Sequence, residues 1–327
     1  TVLFIKEELM RKIALLIVVA LLFWGGASES AAVSYPTRSI QFLIGWNIGG
    51  GSDQAGRTLC LYAEKYLKQP FTIQNQPAGS GAKAYMAIAK AKPDGYTIGL
   101  TTSTISTLKP MGRIPVGTDD FEHVIMFNSD PGGIWVHKDA PWKTLGEFLA
   151  YAKQNPGKVS VAASTPGSIT RFQMMALEQK GGVEFRVLSQ QGGAANGLTN
   201  LAGKHIDAAM GTPLEGYALF SAGQIRPLGF CSEERIPMLP DVPTWREQGV
   251  DVVLSTARTV IAPKGTPKEI INILYEAFQK AVTAPEYVKG MEAKGSNVHA
   301  LNPEQTRQFL KEQDARFAEL IRSTGTK

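Results

Sequence analysis

The residues of this chain best suited to chemistry are backbone donors rather than catalytic side chains. Ile40–Ile44 is a short apolar run rich in strand formers. Trp46 leads from it to Gly49, Gly50, Gly51, Ser52 and Asp53. The glycines let the backbone turn freely and approach a ligand closely. Ser52 and Asp53 are N-cap types, and Ala55, Leu59, Ala63, Tyr66 and Leu67 behind them fall on one helical face. The expected result is a strand, a glycine loop and a helix N-terminus. That geometry offers unpaired N–H groups and the positive end of a helix dipole, which suits a carboxylate or phosphate. An Asp53 carboxylate aimed at such an anion would repel it, so Asp53 is expected to cap the helix and order the glycine loop.

Other chemistries find little support. No Gly-Lys-Ser/Thr follows the glycines, which excludes a Walker A loop, and Gln54 stands where a dinucleotide fingerprint needs its third glycine. His123, His137, His205 and His299 have no metal-ligand spacing, and no cysteine lies near a histidine. Ser164 and Ser168 lack the Gly-x-Ser-x-Gly elbow of a nucleophile. The expectation is a protein that is not an enzyme, with no cofactor and no metal. The net charge is +5, but the basic residues are scattered and no Lys/Arg run alternates with aromatics, which argues against nucleic acid.

The elements that must position the glycine loop follow a repeated pattern. Phe71–Ile73 reads as a strand, the segment ending at Lys90 as a helix, and Thr97–Leu100 as a strand that runs into the hydroxyl cluster Thr101–Thr107. This β-α-β-α-β order predicts a mostly parallel sheet flanked by helices, with ligands at the carboxyl ends of the strands. Both the glycine loop and the hydroxyl cluster lie there. The pattern recurs from Ile134, with strands at Val159–Ala163, Phe185–Leu188, Ile206–Met210 and Arg226–Cys231 and helices at Leu145–Gln154, Thr170–Lys180 and Ala195–Ala202. Small-residue loops separate them, Ser164-Thr-Pro-Gly-Ser168 and Gln190-Gln-Gly-Gly193 among them. A strand around Thr259–Ala262 and two amphipathic helices, Lys268–Thr283 and Pro303–Ser323, end the chain. Two α/β lobes with a ligand cleft between them are expected, residues 33–133 with 259–327 forming one and 134–258 the other. Closure around a ligand would be a hinge motion.

Met10-Arg-Lys precedes twelve apolar residues, Ile13 to Trp24, and then the small residues Gly25 to Ala32. This reads as a signal peptide cleaved after Ser30-Ala31-Ala32, with residues 1–32 outside the mature fold. The apolar run is short for a membrane span, and no second one follows. Removing residues 1–32 leaves the net charge at +5, because three acidic and three basic residues go together. Cys60 and Cys231 are the only cysteines, one on a helix pattern and one after an apolar strand, and read as two buried thiols rather than a bridge.

Several short motifs, in this order, resemble the extracytoplasmic substrate-binding proteins of the tripartite tricarboxylate transporter family (TctC/Bug type). They are Tyr35-Pro36, the glycine triplet with Ser52-Asp53, Pro77-Ala-Gly-Ser-Gly81, Pro93-Asp-Gly-Tyr-Thr97 and Asn155-Pro-Gly157. Gly203-Lys-His-Ile-Asp207, Ala222-Gly-Gln-Ile-Arg-Pro-Leu228, Leu239-Pro-Asp-Val-Pro-Thr244 and Ala262-Pro-Lys-Gly-Thr-Pro267 complete the series, so the resemblance covers about 35–325. It implies a monomeric periplasmic receptor of type II fold that holds a carboxylate and delivers it to membrane permease subunits. The alternative is a ligand-loaded partner of a membrane sensor. In that family, backbone N–H groups and waters between one loop of each lobe hold the carboxylate.

Carried onto this chain, the loops are Gly49–Asp53 and Ser164–Thr170. The implied ligand set is Trp46, Gly49, Gly50, Gly51, Ser52, Ser103, Thr104, Ser164, Thr165, Ser168, Thr170, Gln191, Thr212 and Arg258. The chain departs from the family at Asn47-Ile48, Gln190-Gln191-Gly192 and Thr256–Thr259, all around the pocket. Arg258 is the departure of most interest, because a guanidinium facing the cleft could grip a second carboxylate; Arg171 is a weaker candidate for the same role.

Overall fold

The computed structural model describes residues 10–11 and 34–324. The expected signal peptide, apart from Met10 and Arg11, lies outside them. The chain divides into Thr1–Ser34 and Tyr35–Lys327, and the architecture below belongs to the second part. Among the described residues no helix is long and apolar enough to cross a membrane.

Strand β1 (Ile40–Ile44) is almost wholly buried and sits inside the first sheet, paired in parallel with β2 (Phe71–Asn75) and β3 (Thr97–Thr102). In β2 only alternate residues, Phe71, Ile73 and Asn75, are covered, as befits a strand at the sheet's edge. The crossovers are α1 (Gly51–Leu67) and α2 (Ala82–Ala89), and the short α3 (Ile105–Leu108) follows β3. Strand β4 (Phe121–Pro131) then crosses this sheet and continues through Gly132 into β5 (Gly133–His137) of a second sheet. There α4 (Leu145–Gln154), β6 (Ser160–Ser164), α5 (Ile169–Gly181), β7 (Arg186–Gln190), α6 (Ala195–Ala202), β8 (Ala208–Gly211), α7 (Pro213–Ser221) and β9 (Ile225–Phe230) repeat the alternation. The chain returns to the first sheet as β10 (Ser255–Pro263), and α8 (Lys268–Val282), α9 (Pro285–Glu292), β11 (Val298–Leu301) and α10 (Pro303–Thr324) complete it.

The sheet orders are β11-β4-β10-β3-β1-β2 and β7-β6-β8-β5-β9. The parallel arrangement expected from the sequence describes the sets β2-β1-β3 and β7-β6-β8. The other strands add antiparallel pairs, because most of them lie next to the points where the chain passes between the sheets.

Each sheet has its own core. Phe42, Leu100, Val260, Leu59, Leu274 and Phe278 pack between the first sheet and helices α1 and α8. Ile134, Val161, Phe148, Phe172 and Leu177 fill the space between the second sheet and helices α4 and α5. Full burial of one such side chain contributes about 1.5–3 kcal/mol. Helix α10 was expected to belong wholly to the first lobe. Its later residues Phe317 and Ile321 instead join the second core, with the Phe317 ring 5.6 Å from that of Phe172. Likewise β10 begins at Ser255, so residues 255–258 belong to the first sheet.

The two passages between sheets lie side by side. Cys231 donates its N–H to the Gly132 carbonyl at 2.8 Å, and Leu254 donates to Cys231 at 3.1 Å. Gln173 Nε2 donates to the Leu254 carbonyl at 2.8 Å, and a Cβ on Gly132 would fall 2.2 Å from Gln173 Oε1. Cys60 and Cys231 are free and buried, and burial pushes the Cys231 thiol up to about 12.

Candidate functional site

A cavity lies between the sheets at the carboxyl ends of the parallel strands. Its first wall is Trp46, Gly50, Gly51 and Ser52 with Thr102 of β3 and Thr256 and Arg258 of β10. Its second wall is Ser164, Ser168 and Thr170 around the start of α5, Gly192 and Gly193 after β7, and Thr212 and Glu215 at the start of α7. Helices α1, α5 and α7 therefore all direct N-termini at one space, where unpaired N–H groups and dipoles favour negative charge. At about 30 Å³ the cavity admits a water or two. It falls well short of the roughly 300–1,000 Å³ of pockets that hold small ligands.

The glycine loop is built differently from the expectation in one respect. The N-cap of α1 is Gly50, in an extended conformation, and neither Ser52 nor Asp53 takes that position. The turn from Asn47, closed by a 3.1 Å bond from Gly50 N–H to the Asn47 carbonyl, starts the helix earlier than a serine or aspartate cap would. Asp53 still orders the loop. Its carboxylate accepts from Gly49 N–H at 2.9 Å, Arg57 Nε at 2.8 Å and Asn75 Nδ2 at 2.8 Å. It is thus held away from an incoming anion.

Of the expected ligand set, Trp46, Gly50, Gly51, Ser52, Ser164, Ser168, Thr170, Thr212 and Arg258 line the cavity. Five do not. Gly49 is exposed and bonded to Asp53 and Gln54. Ser103 is spent on β10, donating to Ser255 and accepting from Ala257 N–H. Thr104 Oγ1 accepts from Ile169 N–H at 3.3 Å, Thr165 Oγ1 lies 2.6 Å from Ser80 Oγ, and Gln191 offers its carbonyl to Asn47 Nδ2 at 3.4 Å. These last three join one side of the cleft to the other, as does the bond from Thr107 Oγ1 to the Gly167 carbonyl. Arg171, half-buried against Met174, does not line the cavity.

Arg258 is 1% exposed, and its guanidinium is largely committed. Nη1 meets Asp130 at 2.5 Å and also bonds Asn128 Oδ1, while Nε reaches Ser52 Oγ at 3.3 Å. Asp130, fully buried, further accepts from Asn128 Nδ2, Ser296 Oγ and Asn297 N–H. The cation that the sequence offered to a ligand carries a charge already balanced within the protein.

Three residues of the cavity wall carry a buried group with no hydrogen-bond partner among the described residues: Trp46 Nε1, Ser164 Oγ and Thr256 Oγ1. They are 7%, 2% and 5% exposed. A buried donor left unsatisfied costs about 1–3 kcal/mol, and all three belong to residues that line this one cavity. Thr256, Glu215 and Gly192 were not among the expected residues. Glu215 had a legible signal, since Thr212-Pro-Leu-Glu215 is a capping box with proline at N1. That signal announces a helix start and not a cavity wall.

The comparisons with known proteins agree with this arrangement. The tripartite tricarboxylate transporter family receptor matches residues 56–326. The chain is 30% identical over 308 residues to the "UPF0065 protein in gbd 5'region" of Cupriavidus necator, across 91% of this chain and 91% of that protein. It superposes on the periplasmic binding protein BugD with a TM-score of 0.85 at 26% identity, over 90% of this chain and 99% of that one. It superposes on R. palustris Rpa4515 with adipate with a TM-score of 0.83 at 26% identity, over 89% and 98% of the two chains.

Proposed function

The chain belongs to the tripartite tricarboxylate transporter receptor family, and from that premise we propose that it captures a small organic acid in the periplasm and delivers it to the permease subunits of such a transporter, without transforming it. The observation that carries this reading is that Trp46 Nε1, Ser164 Oγ and Thr256 Oγ1, unpartnered among the described residues, belong to residues lining the same cavity as the N-termini of α1, α5 and α7. The indole N–H only donates and a hydroxyl can do so, so together with helix N-termini they complement a carboxylate. No side-chain cation is needed, because charge-assisted bonds from neutral donors hold an anion well. A linear diacid bound to the similar Rpa4515 is of the same class.

The cavity is too small for such an acid, so ligand entry requires the sheets to part about the passages at Gly132 and Leu254, with the cross-cleft bonds of Asn47, Ser80, Thr104 and Thr107 re-forming on closure.

A thermal-shift screen of carboxylates, their matched amides and neutral analogues tests the reading. At a hundredfold excess over Kd a ligand adds about 2.7 kcal/mol of stability, which raises the melting midpoint by roughly 4 °C if both lobes melt together. The expected result is a shift with an acid that its amide does not reproduce. Shifts with neutral solutes alone would refute carboxylate capture.

A further inference from the structure

Arg258 and Ser52 meet on the first wall of the cleft, where they join β10 to the first turn of α1. Arg258 Nε donates to Ser52 Oγ at 3.3 Å, with the arginine 1% exposed and the serine 7%. Nη1 is taken by Asp130 and Asn128. Nη2 stands over Gly51, where a Cβ would fall 2.8 Å from it and 2.7 Å from Glu215 Cγ. Any side chain at position 51 would therefore push the guanidinium away from Ser52.

Two roles are open to this cation: it grips the captured acid itself, or it sets the group that does. The charge balance disfavours the first. Asp130 is bonded to Nη1. The Glu215 carboxyl carbon and Nη2, both close to one point beside Gly51, lie within about 6 Å of each other. One positive charge thus already faces two carboxylates, which leaves little attraction for a third. The bond to Ser52 supplies the second role. A hydroxyl has one hydrogen and two lone pairs. The Nε–H of Arg258 takes a lone pair, and the hydroxyl hydrogen has no acceptor among the described residues. Ser52 lines the cavity, so that hydrogen is free to turn into it. Donation from a cation also polarises the hydroxyl and strengthens what it donates in turn.

We propose that Arg258 is a positioning residue: its Nε holds Ser52 Oγ so that the hydroxyl serves the cleft as a donor, and it acts on the captured acid through Ser52 alone. The role rests on the reading of the cleft as an acid site and deepens it, since a hydroxyl kept as a donor matches a guest that only accepts. The bonds that Asp130 accepts from Asn128, Ser296 and Asn297 extend the same chain, because they fix the carboxylate that fixes the guanidinium.

The test is calorimetric titration with adipate, or, where adipate gives no thermal shift, with the carboxylate that gives the largest one. Four forms of the whole chain are compared: the parent, Ser52→Ala, Arg258→Lys and the two substitutions together. Lysine keeps a positive charge for Asp130 but lacks the planar fork that carries Nε–H. Ser52→Ala is expected to weaken binding about tenfold, the loss of one hydrogen bond to a charged group. Arg258→Lys is expected to weaken it about as much, and to weaken it no further in the Ser52→Ala background, because a residue that acts through another is not additive with it. A double variant about a hundredfold weaker than the parent, the product of the two single effects, overturns the proposal and makes Arg258 a direct contact or a structural support. Full affinity in Ser52→Ala overturns it as well. If melting curves show that Arg258→Lys does not fold, the apolar pair Asp130→Leu/Arg258→Met takes its place in both backgrounds, with the same expectations. Where an acid binds and the substitutions fail these expectations, the positioning role is wrong and acid capture stands. If no carboxylate binds, both fall.

Discussion

The backbone N–H of Asn47 donates to the carbonyl of Gly192 across the cleft, at 2.8 Å, so that the loop after β1 and the loop after β7 meet over the cavity. Gly192 is held at φ +80°, and a Cβ there would lie 2.2 Å from the Asn47 side chain. The contact ties the two sides of the cleft together.

Substituting Gly192→Ala is predicted to impair closure more than folding. The left-handed backbone costs a non-glycine residue about 1–2 kcal/mol, a small part of the stability of a chain with two cores. The clash with Asn47 acts only when the cleft is shut. Calorimetry with the ligand found in the screen should show affinity reduced tenfold or more, and chemical denaturation a loss of no more than about 2 kcal/mol. Unchanged affinity would show that the loops need not meet for binding.

Much of this was legible in the sequence wherever local chemistry decides structure. The helix Leu145–Gln154 was read with its observed bounds because its apolar periodicity ends at Asn155-Pro-Gly157. The glycine loop was legible because few other arrangements satisfy three glycines between a strand and a helix. Strand β4 was not read: Phe121–Pro131 is buried along nearly its whole length, so it shows no alternation to mark it. Arg258 was placed at the cavity, but its partner Asp130 could not be named, since nothing local links residues so far apart in the chain. Thr256 and Gly192 stood in segments expected around the pocket, but Glu215 became a cavity residue only when the fold brought the start of α7 to the cleft.

Trp46→Phe separates binding from stability. The indole N–H is buried without a partner among the described residues, so removing it relieves a desolvation cost of about 1–3 kcal/mol, offset in part by the smaller ring. Denaturation should show stability equal to the parent within about 1 kcal/mol. Ligand affinity should fall about tenfold, the worth of one hydrogen bond to a charged group. A variant that binds as tightly as the parent would place the indole N–H outside the ligand shell.

The Arg258–Asp130 pair should behave as a unit. Asp130→Ala leaves a guanidinium buried without its counter-charge, a change that costs about 3–5 kcal/mol, and it also strips an acceptor from Asn128, Ser296 and Asn297. The double variant Asp130→Leu/Arg258→Met, apolar on both sides, should recover a large part of that loss. Urea denaturation of the singles and the double checks the coupling. If the effects of the two single substitutions simply add, the pair is not coupled.

His123 sets a pH limit on the first sheet. It lies in β4, 3% exposed, with Nδ1 unpartnered among the described residues. Burial foremost, then the charge of Arg307, lowers its pKa to about 4, with Lys264 acting in the same direction and Glu122 and Asp119 against it. Unfolded, a histidine titrates near 6.5. Between those values the unfolded chain binds the proton and the folded chain does not, so stability rises with pH there and is lost as pH falls from about 6.5 towards 4. The window spans roughly 2.5 units, worth about 3 kcal/mol from this one residue. Denaturation midpoints measured across the window should fall steeply towards acid in the parent. In His123→Leu, which fills the same buried space without a proton site, the slope should flatten by about one proton. An unchanged slope would assign the acid sensitivity to other groups.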